Sequence, residues 1–203
     1  MISLLSPDQP IRVSGTHPLA TYSRDTTWGR FCALHPKSEE RNQIEDALRA
    51  CRHSSLVQSS FIIRRSFSGA LRTIELPPEQ ARREFIENIS HSDFVLAPKG
   101  DGNYSNRFLE ALSMGRIPVL IDTDVVLPFE NTIQYENIVV RVPMNRVHET
   151  PQYIREFYDA LDEEAWRARQ KLARETYEHY LAPDSFFTHF FEQLLGNSQN
   201  TAV

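Results

Sequence analysis

Two short apolar runs, Phe94-Val95-Leu96-Ala97 and Ile117-Pro118-Val119-Leu120-Ile121, limit the folds open to this chain more than any other feature. Each is too short for a lone helix and suits a strand buried on both faces. Pro98 ends the first run. A polar loop follows, Lys99-Gly100-Asp101-Gly102-Asn103, and then a helical segment over about Tyr104 to Met114 with Phe108, Ala111 and Leu112 on one face. Gly115 stands where such a helix needs its C-terminal stop. Strand, glycine loop, helix and strand make a βαβ unit, whose crossover is right-handed in nearly all proteins. The expected fold class is therefore α/β: a Rossmann-like parallel sheet flanked by helices, with a C-terminal helical extension.

The loop and the helix start carry the candidate chemistry. Open α/β sheets bind ligands beyond the carboxyl ends of their strands, where this loop belongs. A helix N-terminus offers unpaired N–H groups and partial positive charge, which suit phosphate. Arg107 falls in the first turn, where a cation opposes the helix dipole, so local helix stability does not account for it. A bound anion would. Asn106 and Glu110 are four apart and share a face. A carboxylate one turn behind a phosphate site can accept hydrogen bonds from both hydroxyls of a ribose. The plainer reading of Arg107 and Glu110 is a surface ion pair of small energetic worth. For the loop, Asn106, Arg107 and Glu110 together, the ligand reading is favoured.

In register, the motifs around this unit resemble those of the exostosin-type glycosyltransferases. Ser92, Phe94, Leu96, Pro98 and Gly100 come first, then Ser105, Arg107, Glu110 and Ala111, then Gly115, Ile117, Pro118, Val119 and Ile121, and finally Leu127-Pro128-Phe129-Glu130. The likeness is good over about residues 90 to 145 and loose outside them. It implies the C-terminal, donor-binding half of a two-domain GT-B transferase, whose substrate is a nucleotide sugar, commonly a UDP-sugar. On that resemblance Arg107 would hold the diphosphate and act in catalysis, and Glu110 would hold the ribose. Gly100, Asp101, Gly102, Ser105 and Asn106 would complete the donor site, and Glu130 would lie near the sugar or cleft wall as a second catalytic candidate. Members often carry two basic residues at the helix start, and here the first of the pair is Asn106. No metal or separate cofactor is implied. The acceptor would be a glycan or another hydroxyl compound, and the acceptor-binding domain would come from another chain or an upstream segment.

The rest of the chain bounds these readings. Its 203 residues are 40% hydrophobic and 24% charged, an ordinary globular balance. The net charge of −5 argues against a nucleic-acid surface. No apolar run approaches membrane-spanning length, and the N-terminus lacks the features of a secretory signal. The expected location is cytoplasmic for a complete protein, or the Golgi or secretory lumen for a fragment of a eukaryotic enzyme. Two cysteines, Cys32 and Cys51, cannot define a disulfide framework and read as buried thiols. The seven histidines show no ligand spacing.

Residues 1–29 read as an irregular lead-in, 30–148 as the donor-binding domain, 149–196 as helices packed on it, and 197–203 as a disordered tail. Within the domain, Arg30–His35 is expected as the first strand, Ser38 to about Arg52 as a helix, Leu56–Ile63 as a strand and about Glu79–Ser90 as a helix. Arg24, His35 and Arg41 are weak donor-site candidates, better read as surface cations. The basic segment Arg64–Arg72 reads as a solvated loop rather than a phosphate contact. Asp122-Thr123-Asp124 has the form of a metal-holding carboxylate pair, but the resemblance argues for a loop role. Ile138–Val142 reads as a further strand. Thr150-Pro151, Asp162 and Asp184 each start a helix, the last carrying Phe186, Phe187, Phe190, Phe191, Leu194 and Leu195.

Two other functions compete with glycosyl transfer. One is a non-catalytic module that binds a nucleotide sugar or a partner chain. The other takes Pro98–Asn103 as the phosphate loop of a nucleotide hydrolase, but the Gly-Lys-Ser/Thr ending that reaches phosphate and Mg²⁺ is missing.

Overall fold

The computed structural model describes residues 11–17, 39–63, 77–99 and 103–199. Five strands form one parallel sheet: β1 (Arg12–His17), β2 (Gln58–Ile63), β3 (Phe94–Leu96), β4 (Ile117–Asp122) and β5 (Val140–Pro143), in spatial order β2-β1-β3-β4-β5. The helices are α1 (Glu39–His53), α2 (Pro78–Ser90), α3 (Asn106–Ser113), α4 (Thr150–Asp159), α5 (Glu163–Thr176) and α6 (Pro183–Gln199). This is the Rossmann-like α/β architecture expected from the two apolar runs. Among the described residues no helix is long and apolar enough to cross a membrane.

The central strand shows why the fold needs layers on both sides. Phe94 and Val95 are adjacent and both buried, and alternate residues of a strand face opposite ways. Phe94 meets Phe157 of α4 edge-on at 6.0 Å and Trp166 of α5 at 5.2 Å. Val95 instead packs in a second cluster with Ile89 and Phe85 of α2 and Ala111 of α3. Gly115 ends α3 as expected: its φ of 63° is costly for a residue with a Cβ, and its N–H donates to the Leu112 carbonyl at 2.9 Å.

The structure corrects the lead-in. A strand, β1, runs through Arg12–His17, inside the stretch read as irregular, and it lies between β2 and β3. The run expected as first strand, Arg30–His35 with Cys32, lies outside the described residues, as do Arg24 and Arg64–Arg72. Arg41 lies on α1. The far end differs too: α6 continues through Gln199, past the point where the tail was expected to begin. Asp162 caps α5 as expected, its Oδ1 accepting the Ala165 N–H at 2.8 Å. Cys51 is a buried free thiol, and burial pushes its pKa up to about 12.

A charged cluster ties the amino ends of the three middle strands. Asp93 precedes β3, and its carboxylate accepts the Arg12 N–H of β1 at 2.8 Å. Arg116 precedes β4 and is buried, its guanidinium donating to the Ser90 carbonyl at 2.7 Å. Burial pushes the Asp93 carboxyl above its ordinary range, against the pull of the Arg12 backbone N–H and of the Arg12 and Arg116 charges. A carboxyl raised in the folded state stabilises most below its unfolded pKa and loses that contribution as pH rises through the folded pKa. Wild-type stability relative to Asp93→Asn is therefore expected to fall as pH rises above the ordinary carboxylate pKa of about 4, as measured by urea denaturation at a series of pH values. A gap that widens with pH would reverse the assignment.

Candidate functional site

The strand order reverses beside β1: the chain goes from β1 out to β2, then returns past β1 to β3. In doubly wound sheets the ligand crevice opens at that point, beyond the carboxyl ends of the strands. Here those ends are His17 of β1 and Leu96 of β3, and the chain leaving β3 leads into the N-terminus of α3. Gly100, Asp101 and Gly102 lie outside the described residues. Asn103, next in the chain, exchanges two hydrogen bonds with Thr123 beyond β4: its Nδ2 donates to the Thr123 carbonyl at 2.8 Å, and the Thr123 hydroxyl donates to its Oδ1. The loops after β3 and β4 are thereby clasped together at the carboxyl end of the sheet.

Ser105 occupies the N-cap position with extended backbone, yet its hydroxyl makes no capping hydrogen bond. Asn106 is exposed on the first turn. Arg107 is half-buried, and its guanidinium donates from Nη1 to Glu110 Oε2 at 3.0 Å while lying over the Phe85 ring of α2 at 4.1 Å. Burial lowers the Arg107 pKa and the Glu110 carboxylate opposes that shift. Arginine stays charged even so. The structure thus brings Arg107 and Glu110 together as an ion pair on one side of α3, one turn from its free N–H groups. Phe85, which seats the guanidinium, carries no mark of that role in the sequence, because an inward aromatic ring on a helix looks the same whether or not a cation rests on it.

The Leu127-Pro128-Phe129-Glu130 segment forms a tight turn between β4 and β5. Glu130 is exposed, and its Oε2 accepts the Leu127 N–H at 3.3 Å. Phe129 has φ of 53°, a left-handed conformation that is costly for a bulky residue. Tertiary contacts hold it there. Its carbonyl accepts the Thr132 and Ile133 N–H groups at 2.8 and 2.9 Å. Its ring packs against Tyr180, Phe186 and His189 at centroid distances of 6.4, 5.3 and 6.0 Å. Tyr135 braces the turn from the other side, donating its hydroxyl to the Pro128 carbonyl at 2.8 Å and packing on Phe108 of α3 at 5.7 Å. Glu130, Ile133, Tyr135, Glu136, Val139 and Arg141 line a half-open hollow of about 410 Å³ beside it. Asp122 pairs with Arg141 at 3.7 Å and accepts the Asp124 N–H at 3.2 Å, so this carboxylate is engaged within the loop.

The family model for the Exostosin GT47 domain matches residues 17–157, which include β2 to β5, α3 and the turn at Glu130. The chain belongs to the exostosin GT47 family. It is 30% identical over 103 residues to an exostosin-1 homologue of Caenorhabditis elegans, an alignment covering 51% of this chain and 26% of that protein. It is 35% identical over 77 residues to exostosin-1 of Drosophila melanogaster, covering 38% and 10%. It is 40% identical over 65 residues to a probable β-1,4-xylosyltransferase of Arabidopsis thaliana, covering 32% and 16%. The aligned parts thus span between 10% and 26% of these relatives.

Tyr135→Phe removes one buried hydrogen bond from the GT47 turn and leaves the ring in place. It is expected to cost about 1–2 kcal/mol in urea denaturation and to speed amide exchange at Ile133, whose N–H is held by the turn. Unchanged exchange there would mean that the turn does not depend on this bond.

Proposed function

We propose that this GT47 chain is the donor-binding half of a GT-B-type glycosyltransferase, taking a UDP-sugar across the carboxyl ends of β1 and β3. The observation that carries the reading is the joint placement of Arg107 and Glu110 on the first turns of α3, at the reversal of strand order. The helix N–H groups and Arg107 face the same task. As the glycosidic bond to the diphosphate breaks, negative charge grows on the leaving oxygens, and fixed donors stabilise it without reorganising. Only Nη1 of Arg107 bonds Glu110, so the fork has further N–H groups for phosphate. Glu110 keeps Oε1 for a ribose hydroxyl. Ser105, with an uncommitted hydroxyl at the helix start, and Asn106, exposed beside it, add neutral hydrogen-bonding groups to the same turn. Gly100, Asp101 and Gly102 are assigned to the same donor site by the family resemblance, and the cationic side chain and backbone dipoles do the work a metal would do elsewhere.

The acceptor hydroxyl needs a general base within hydrogen-bond reach. Glu130 is the carboxylate this chain offers on the turn after β4, and a facing acceptor domain is the other source. The second reading, a module that holds a nucleotide sugar without turnover, is favoured by one observation: the aligned region is a small share of each relative.

Calorimetric titration with UDP, with and without Mg²⁺, tests the donor site. Binding is expected in both conditions. Arg107→Ala is expected to weaken it roughly ten- to a hundredfold, the loss of a charge-assisted bond, and Glu110→Ala about tenfold. Wild-type affinity in both variants removes these residues from the site, and binding that requires Mg²⁺ ends the metal-free mechanism. Release of free UDP from a UDP-sugar on adding an acceptor separates the transferase from the binding module.

A further inference from the structure

The side of α3 that faces α2 carries Arg107, Ala111 and, just past the helix end, Met114, at i, i+4 and i+7. Residues so spaced share one face of a helix. Ala111 and Met114 pack with Phe85, Ile89 and Val95 in the cluster on the second side of the sheet. Arg107 holds the first place of the same stripe, where a helix–helix seam ordinarily has an apolar residue. The small side chain of Ala111 lets the two helices approach closely. The Phe85 ring of α2 thereby reaches the turn above Ala111 and lies under the guanidinium, whose carbon is 4.1 Å from the ring centroid.

Two contacts then fix a planar group. Phe85 takes its face, and Glu110 takes an N–H of Nη1 at 3.0 Å. Stacking uses the face of a guanidinium and leaves its edge, where the N–H bonds lie, for paired oxygens such as those of phosphate. The Arg107 side chain is only 26% exposed, so the fold has already removed much of its water. A cation that is desolvated and oriented in advance gives up little further freedom when an anion arrives. Glu110 alone would not achieve this, because a half-exposed pair on one helix restrains its side chains weakly.

We propose that Phe85 is a positioning residue of the donor site: its ring holds the Arg107 guanidinium, before any ligand arrives, in the orientation that receives the diphosphate. The proposal rests on the donor-site reading above and adds to it a residue from a different helix. The site is then built where α2 meets α3, and α2 takes part in binding without touching the nucleotide sugar.

Calorimetric titration of the full chain with UDP across a double-mutant cycle tests this. Phe85→Leu and Phe85→Met remove the ring and keep an apolar filling. Each is expected to weaken UDP about five- to thirtyfold, the loss of a desolvated cation–π contact. Phe85→Tyr keeps the ring and should stay within about twofold of wild type. In an Arg107→Ala background, removal of the ring should weaken UDP no further. The arginine Nε–H signals in NMR give a readout without nucleotide. That of Arg107 is expected upfield, shifted by the ring current, in wild type and Phe85→Tyr, and at the ordinary solvated position in Phe85→Leu. UDP affinity that falls with Arg107→Ala but is indifferent to loss of the ring overturns the positioning role and leaves the donor site standing. So does an equal loss with and without Arg107, which makes Phe85 a packing residue only, and so does an Arg107 Nε–H signal unmoved by Phe85→Leu. Wild-type affinity in Arg107→Ala removes the donor-site reading itself, and the positioning role falls with it.

Discussion

Everything in this molecule depends on a strand three residues long that must be covered from both sides. Phe94 and Val95 face opposite layers, one filled by α4 and α5 and the other by α2 and α3. An isolated parallel strand pair has no way to hide such residues, so the helices are obligatory. With them in place, β3 sits at the centre and the chain leaving it must turn at the carboxyl edge into α3. The position of Arg107 and Glu110 follows from that turn. The candidate site is a by-product of the way the core closes, which is how α/β sheets generally place their ligands.

The two ends of the sheet are electrically unlike. At the amino end, Arg12, Asp93 and Arg116 form a compact cluster whose carboxyl is held against the cost of burial. At the carboxyl end the polar groups are half-exposed and engaged with one another: Asn103 with Thr123, Arg107 with Glu110, Asp122 with Arg141. Pairs of the second kind contribute little to stability, because water competes for them. They are also the pairs a ligand can enter at small cost. The distribution suits a domain that is fastened below and open to chemistry above.

Much of this was legible in the sequence, and the parts that were not share a cause. The runs at Phe94 and Ile117 announced buried strands because every residue in them is apolar. Asp162 and Gly115 marked helix ends because capping and left-handed turns select those residue types locally. The strand Arg12–His17 was missed because Ser14, Gly15 and Thr16 break its apolar character and prolines stand on both sides. It is a strand through its neighbours, with β2 and β3 supplying the hydrogen bonds. Arg116 gave no warning of its burial, since arginine is normally a surface residue and it is the Ser90 and Gly115 carbonyls and the nearby Asp93 that make the site tolerable. In the candidate site, Arg107 and Glu110 were recognisable from their place on the helix, whereas the seat of Arg107 on Phe85 depends on how two helices meet.

The left-handed backbone of Phe129 has a further consequence for how this molecule comes apart. A bulky residue keeps that conformation only while its surroundings insist on it. Here the insistence comes from Tyr180, Phe186 and His189, more than fifty residues further along the chain. The turn bearing Glu130 and the start of the last helix should therefore melt together as one cooperative unit, ahead of the sheet. Trimming the C-terminus of this protein would not remove an inert appendage. It would release the clamp on the turn that carries Glu130.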